Sequence, residues 1–207
     1  MRITKIEKQK RERDRYNIFI NDEFAFGLYG DTVINFSLAK DDEVNEKDIT
    51  KIREFDEVGF GKRIAYSYLS YKPRSKKEII KKLKEKKISA VSIEKIVQLL
   101  EGQKYIDDET YARNFLESKT RGKAIGKRLM QKKLREKGIP NELATIILAE
   151  NFPGERETAL ASELLKKYLK RIKYKNDLDK KNKSFRYLIS RGFDYETAVR
   201  AIASAVE

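Results

Sequence analysis

No cysteine, histidine or tryptophan occurs anywhere in the 207 residues. Without thiols there is no disulfide framework, no thiolate metal site and no cysteine nucleophile, and without imidazole there is no histidine general acid or base. Long apolar runs are missing as well. None approaches the roughly 20 residues that span a bilayer, and the opening MRITKIEKQKRERDRY has no apolar core of a secretion signal. A soluble, cytoplasmic protein that does not enter membranes is the expectation. Proline is scarce, with 3 residues, at 73, 140 and 153, each lying where one periodic segment gives way to the next.

What is present in excess is positive charge. Lys+Arg number 47 against 33 Asp+Glu, a net charge of +14 and a pI of about 9.6. A surface of that sign attracts polyanions, either nucleic acid or an acidic protein face. The chain is also long enough, at 40% hydrophobic residues, to fill one or two cores.

Residues 1 to about 45 carry short β-branched and aromatic stretches, ITKIEKQ, RYNIFIND and EFAFGLYG. Two of them meet at Asn21-Asp22, a pair that tolerates the left-handed backbone of a two-residue turn, so a β-hairpin is predicted. It sets Ile18 and Ile20 on one face, with Phe24, Phe26 and Leu28 across the turn. From about residue 46 the spacing is helical to the end. Ser75 and Glu78 form a capping box that opens SKKEIIKKLKEKK, with Ile79, Ile80 and Leu83 as its apolar stripe and a lysine-rich outer face.

An internal repeat organises the helical part. Leu83-Lys-Glu-Lys-Lys-Ile88 aligns with Leu134-Arg-Glu-Lys-Gly-Ile139 and with Leu188-Ile-Ser-Arg-Gly-Phe193, at spacings of 51 and 54 residues. A second stripe follows each: Ile93, Ile96 and Val97, then Ala144, Ile147 and Leu148, then Ala198, Ala201 and Ile202. A further helical segment precedes each, at 61–71, 109–119 and 157–172. The fold class expected is therefore mainly α, with about three tandem three-helix repeats in an elongated, curved array behind a small β-rich module. The corresponding domains are 1–45, 46–108 (a repeat with a lead-in helix), 109–153 and 154–207. Charge follows the same division: residues 1–55 carry 11 bases and 12 acids, whereas 56–108, 109–153 and 154–207 each carry a net +5.

Three stretches in this order resemble the RecX family, regulators of the bacterial recombinase RecA. They are Pro73-Arg-Ser-Lys-Lys-Glu-Ile79 with Leu83, Tyr105-Ile-Asp-Asp-Glu-Thr-Tyr-Ala112 and Arg135-Glu-Lys-Gly-Ile139. The hairpin stretch, with ITKIE and NIFINDEFAFGL, is similar to the N-terminal extension of longer members. The resemblance thins after residue 155. It departs from the family at Lys87 and Lys104, where glycine is common and a left-handed residue would suit the helix end. What the resemblance implies is a monomeric, non-enzymatic protein without cofactors that binds the RecA–single-stranded-DNA filament and inhibits its ATPase and strand exchange, within recombination, DNA repair and the SOS response.

Candidate site residues follow from the charge. Arg74, Lys76, Lys77 and Lys81 in one repeat, and Arg121, Lys123, Lys127, Arg128, Lys132 and Lys133 in the next, occupy related helix openings. Singly, each lysine reads as a solvated helix face. As a set they form a stripe that attracts phosphates of single- or double-stranded DNA, or an acidic groove, without reading bases. Asp107 and Asp108 read as helix caps in preference to a metal or catalytic pair. Arg121-Gly-Lys-Ala-Ile-Gly-Lys127 has too short a spacing for a phosphate loop, and Arg128 replaces the required Ser or Thr. Tyr66, Tyr68, Tyr71, Tyr105, Tyr111 and Phe115 are expected to pack between helices, with base stacking reserved for rings exposed beside lysines. The alternative is a basic helical-repeat DNA-binding protein, either a helix-turn-helix-like repressor or a general nucleic-acid binder.

Overall fold

The structure, a computed structural model, describes residues 1–10, 12, 14–121 and 124–206. The chain divides into two compact units. Unit 1 comprises Met1–Lys72 and Ile79–Tyr105, and unit 2 comprises Pro73–Glu78 and Ile106–Glu207.

Unit 1 opens with an antiparallel sheet in the order β1 (Ile3–Lys8), β2 (Arg15–Ile20), β3 (Glu23–Tyr29). Asn21 and Asp22 both adopt positive φ, 50° and 66°, the two-residue turn whose twist matches the strands. Ile18 and Ile20 are buried with Ile3, Leu28, Val44 and Ile52. Phe24 is exposed, contrary to the simple alternation: the register slips between Ile18 and Phe19, so Phe24 pairs with Phe19 and is turned out of the core. Helix α1 (Gly30–Asn35) and the long α2 (Glu46–Tyr71) follow, the latter opened by an Asn45–Asp48 capping box. The buried Asp56 ties α2 to the sheet, accepting from Tyr29 N and Thr32 Oγ1 at 2.7 Å each. The part of α3 (Lys76–Glu85) from Ile79 onward and α4 (Ala90–Gly102) complete unit 1, burying Ile79, Leu83, Ile93, Ile96, Val97 and Leu100.

Unit 2 holds the first turn of α3 and six further helices: α5 (Asp108–Thr120), α6 (Lys127–Glu136), α7 (Asn141–Asn151), α8 (Gly154–Leu169), α9 (Asp177–Ser190) and α10 (Tyr195–Val206). Helices α2–α4, α5–α7 and α8–α10 are the three three-helix repeats read from the sequence. Each middle helix ends alike, with an N–H reaching back five residues to the aligned leucine: Ile88 to Leu83 O at 3.2 Å, Ile139 to Leu134 O at 3.1 Å and Phe193 to Leu188 O at 3.2 Å. All three leucines are buried. The turn before that bond needs a left-handed residue, supplied by Lys87 (φ 60°), Gly138 (83°) and Gly192 (88°). Lys104, at 62°, closes α4 the same way, through Tyr105 N to Leu100 O.

The cores are mostly aliphatic, with Phe152 and Phe193 as buried rings, and none of the five tyrosines and one phenylalanine expected between helices is fully buried. Tyr71 and Tyr105 are exposed, while Tyr66, Tyr68, Tyr111 and Phe115 are half-buried. Tyr111 and Phe115 do pack against the core of the second repeat, stacked on each other, whereas Tyr66 lies edge-on to Tyr105 at the rim and donates its hydroxyl to Gln103 Oε1. A phenol with one wet end suits that rim better than a dry core.

Lys87 is exposed and pays for its left-handed backbone with steric strain. Lys87→Gly should raise stability by about 0.5–1 kcal/mol, read as an increased urea midpoint at unchanged slope. An unchanged or lowered midpoint would show that no strain is stored there.

Candidate nucleic-acid and partner interface

The basic stripe depends on how α6 is held within unit 2. Gly126 is its N-cap and has no side chain to accept the orphan amides of the first turn. The third repeat supplies the partners. Gly126 N donates to Arg191 O (2.9 Å), Lys127 N to Glu157 Oε1 (2.9 Å) and Arg128 N to Gly192 O (3.0 Å). A Cβ on Gly126 would collide with the backbone of Gly192 and Phe193, and one on Gly192 with Leu129, so both sides of this contact are bare backbone.

The opening of α3 is held in the same manner by the second repeat. Ser75 and Glu78 form the expected capping box, and Ser75 Oγ donates to Lys137 O at 2.6 Å. Lys76 N donates to Asp108 Oδ1 at 2.8 Å, and the Lys77 side chain lies against Gly138. Asp107 caps its own helix, accepting from Glu109 N and Thr110 N at 3.0 Å. Both aspartates are thus helix-opening acceptors, as the sequence suggests. The three amides at the start of α6 are likewise all taken within the fold, which closes the phosphate-loop reading of Gly126-Lys127.

Two carboxyls at these junctions titrate in opposite directions. Burial pushes Glu78 up, but the Lys137 ammonium at 2.7 Å, the Ser75 amide and the Tyr111 hydroxyl outweigh it, so its pKa is lowered. Lys137 is raised by the same contact, and Tyr111 is raised by its burial and by Glu78. Glu157, only 5% exposed, is raised: burial is the largest cause and Asp194 adds repulsion, against the lowering by the Lys127 amide and by the Lys127 and Arg128 charges.

With Met130 and Leu134 buried, α6 turns Arg128, Lys132 and Arg135 outward at i, i+4 and i+7, the spacing of one helix face. Lys127 and Lys133 are half-buried beside them. On α3, Lys77 and Lys81 are exposed and Lys76 is half-buried, as is Arg74 two residues before the helix. Arg121 closes α5 and pairs with Glu117 at 2.8 Å, so its charge is partly spent. Lys123 lies outside the described residues. Arg135 was not among the residues singled out from the sequence, nor was Arg186 on α9. The repeat offsets could have found the second: Lys81, Lys132 and Arg186 are separated by 51 and 54 residues, occupy one repeat position and are all exposed. None of the three forms an ion pair among the described residues, unlike Lys167 with Glu163 or Lys183 with Asp179. Nor is any helix among them long and apolar enough to cross a membrane.

Comparison with known proteins covers the same segments. Residues 1–45 match the regulatory protein RecX N-terminal domain, and residues 62–100, 107–148 and 155–202 match the first, second and third three-helix domains of RecX. A regulatory protein RecX of Bacillus licheniformis is 32% identical over 200 residues, covering 97% of this chain and 76% of the relative. One from Staphylococcus aureus strain Newman is 32% identical over 197 residues, or 95% and 71%. A crystal structure of regulatory protein RecX superposes with a TM-score of 0.67 at 30% identity, covering 95% of this chain and 96% of that one. A RecX structure from Lactobacillus salivarius shares the fold, at 24% identity and a TM-score of 0.67 over 73% of this chain. The third repeat, where the sequence resemblance is thinnest, is included in the family match.

Glycine and charge at the α6 junction can be tested separately. Gly192→Ala should cost more than about 2 kcal/mol, because it combines a left-handed alanine with a backbone collision, whereas Gly154→Ala meets open space at the start of α8 and should be neutral or slightly stabilising. Urea midpoints of the two variants decide this, and equal effects would refute the close contact. For Glu157 the folded pKa lies above the unfolded one, so its contribution is greatest in acid and is lost as pH rises out of the ordinary glutamate range. Glu157→Gln keeps an acceptor for Lys127 N without the charge. Measured from about pH 4 to about pH 7, its stability relative to the parent should therefore rise with pH; a constant or falling difference would contradict the burial-dominated shift.

Proposed function

Because the chain belongs to the RecX family of regulatory proteins, we propose that it binds the RecA recombinase on single-stranded DNA and restrains the filament's ATPase and strand exchange, modulating recombination and repair. The observation that carries this reading is the recurrent cation: Lys81, Lys132 and Arg186 stand at one position of three successive repeats, exposed and without ion pairs among the described residues. Each repeat contributes a weak, salt-sensitive attraction to phosphate or to an acidic protein face, and several weak contacts on one chain give occupancy that none gives alone. The working units are the segments 1–45, 46–108, 109–153 and 154–207. The basic stripe comprises Arg74, Lys76, Lys77 and Lys81 with Arg121, Lys123, Lys127, Arg128, Lys132 and Lys133, to which Arg135 and Arg186 are added. The protein acts in the cytoplasm as a monomer and catalyses no reaction of its own.

The test is ATPase of the cognate recombinase on single-stranded DNA, titrated with this protein at several salt concentrations. Inhibition is expected well below one copy per recombinase. Lys132→Glu combined with Arg135→Glu and Arg186→Glu should abolish it with the helical circular dichroism and urea midpoint unchanged, since all three side chains point to solvent. Lys127 is left intact because reversal there would face the buried Glu157. Full inhibition by the folded triple variant would remove the stripe from the mechanism, and no inhibition by the parent would remove the function.

A further inference from the structure

We propose that unit 1 carries a second, chemically different surface: an aromatic groove that takes an unpaired nucleic-acid strand by stacking a base on Tyr71, with Lys82 and Lys86 on the adjoining phosphates. The groove is open and has a volume of about 570 Å³. One wall is α2, which presents Tyr68 and Tyr71 three residues apart on one face. Lys82 on α3 and Lys86 in its closing turn form the opposing side. Beyond Tyr68 the groove continues to Arg63, Phe60 and Tyr29.

The rings differ in what they can accept. Tyr29 is already covered, stacked on Phe60 and with the Arg63 guanidinium 3.7 Å from its centroid, so it serves as a wall. Tyr68 has the Lys82 ammonium over its ring at 5.5 Å. Tyr71 is 81% exposed at the last position of α2, the most exposed large apolar side chain among the described residues. An open phenol ring beside cations is what a base needs, because every base has a stackable face and carries a phosphate one bond system away.

Charge on the groove favours that occupant. Among the described residues that line it, three are cationic and none is a carboxylate. Arg63 is partly balanced by Asp31 at 3.6 Å, and Lys82 reaches Glu85 only at 3.9 Å. Lys86 has no ion pair among the described residues. Lys82 and Lys86 stand one helical turn apart, about 6 Å along the axis, a separation that successive phosphates of an extended strand can bridge. An acidic peptide would satisfy the charges too, but a carboxylate side chain brings no flat face for the open Tyr71 ring, whereas every base does. The unit 2 groove between Tyr168 and Tyr187 lacks such an open ring, as those two are stacked on each other at 3.8 Å and Arg191 covers Tyr187.

The absence of tryptophan supplies the probe. Tyr71→Trp introduces the only indole among the 207 residues, and its emission reports directly on stacking. An oligo-dT strand should quench it, while an abasic strand of equal length, with the same phosphates and no bases, should not. Tyr71→Ala should weaken oligo-dT binding about tenfold by fluorescence anisotropy, with Tyr71→Phe restoring it. Lys82→Glu with Lys86→Glu should lower both the affinity and its salt dependence. These assays contain no recombinase, so their outcome is independent of whether ATPase inhibition occurs. Equal quenching by abasic and dT strands, no quenching, or undiminished binding by Tyr71→Ala would overturn the proposal. So would stronger quenching by an acidic, tyrosine-containing peptide than by oligo-dT, which would assign the groove to a protein partner.

Discussion

The left-handed turns that end α6 and α9 are also the seats for the openings of α3 and α6, and the arrangement of unit 2 depends on this double duty. A helix start exposes amides with no intrahelical partner. Here they are met by the following repeat: Lys76 N by Asp108, Lys127 N by Glu157, and Arg128 N by the carbonyl of Gly192. The two junctions align residue for residue. Ser75 and Gly126 are 51 apart, Lys137 and Arg191 are 54 apart, and Ser75 donates to the Lys137 carbonyl as Gly126 does to that of Arg191. What differs is the donor, a hydroxyl in one and a backbone amide in the other. The amide version needs closer approach, which explains why the second junction has glycine on both faces while the first tolerates Ser75 and the stem of Lys77 against Gly138. This interlock also accounts for the assignment of Pro73–Glu78 to unit 2 while the remainder of α3 belongs to unit 1.

Seating α6 by its first turn and by Met130 and Leu134 leaves its other face no freedom: Arg128, Lys132 and Arg135 must point to solvent. Like charges at i+3 and i+4 destabilise a helix by about 0.2–0.5 kcal/mol per pair. The protein pairs cations with carboxylates elsewhere, as in Arg113 with Glu109 and Glu150. Leaving α6 unbalanced therefore runs against its stability, and a polyanionic partner is what would turn that repulsion into attraction. Glu157 fits the same reasoning. Its buried carboxyl lies close to Lys127 and Arg128, whose charges favour its ionised form, so these two cations also serve the fold.

Sequence reading succeeded where a local rule and a repeat coincided. Leu83, Leu134 and Leu188 could be aligned because each combines a buried leucine with a fixed five-residue return, and Asn21-Asp22 because only a tight turn wants both residues left-handed. It failed where the deciding partner was distant. The slip between Ile18 and Phe19 that exposes Phe24 leaves no mark on the alternation of β3. Asp108 was legible as a helix-opening acid, yet its partner Lys76 lies 32 residues away. Tyr71 has the same helical spacing as tyrosines that do pack, and only the end of α2 at that residue leaves its ring uncovered. Arg186 was within reach of the repeat offsets, but the third repeat resembles the others least in its surface residues, and charge counting alone does not select among its 13 bases.

The two surfaces imply a division of chemistry. A helix face of lysine and arginine without open rings would respond chiefly to phosphate density, with an affinity that falls steeply with salt. It cannot tell a coated strand from any other polyanion. An aromatic groove that accepts one unpaired base adds what the stripe lacks, a preference for single strands over duplex, because duplex bases are already stacked on one another and have no face to give. Neither surface distinguishes one sequence from another. On the proposed reading, selectivity for a recombinase filament over bare DNA has to come from protein–protein complementarity, with the stripe setting how strongly a polyanion is attracted and the groove which form of nucleic acid is preferred.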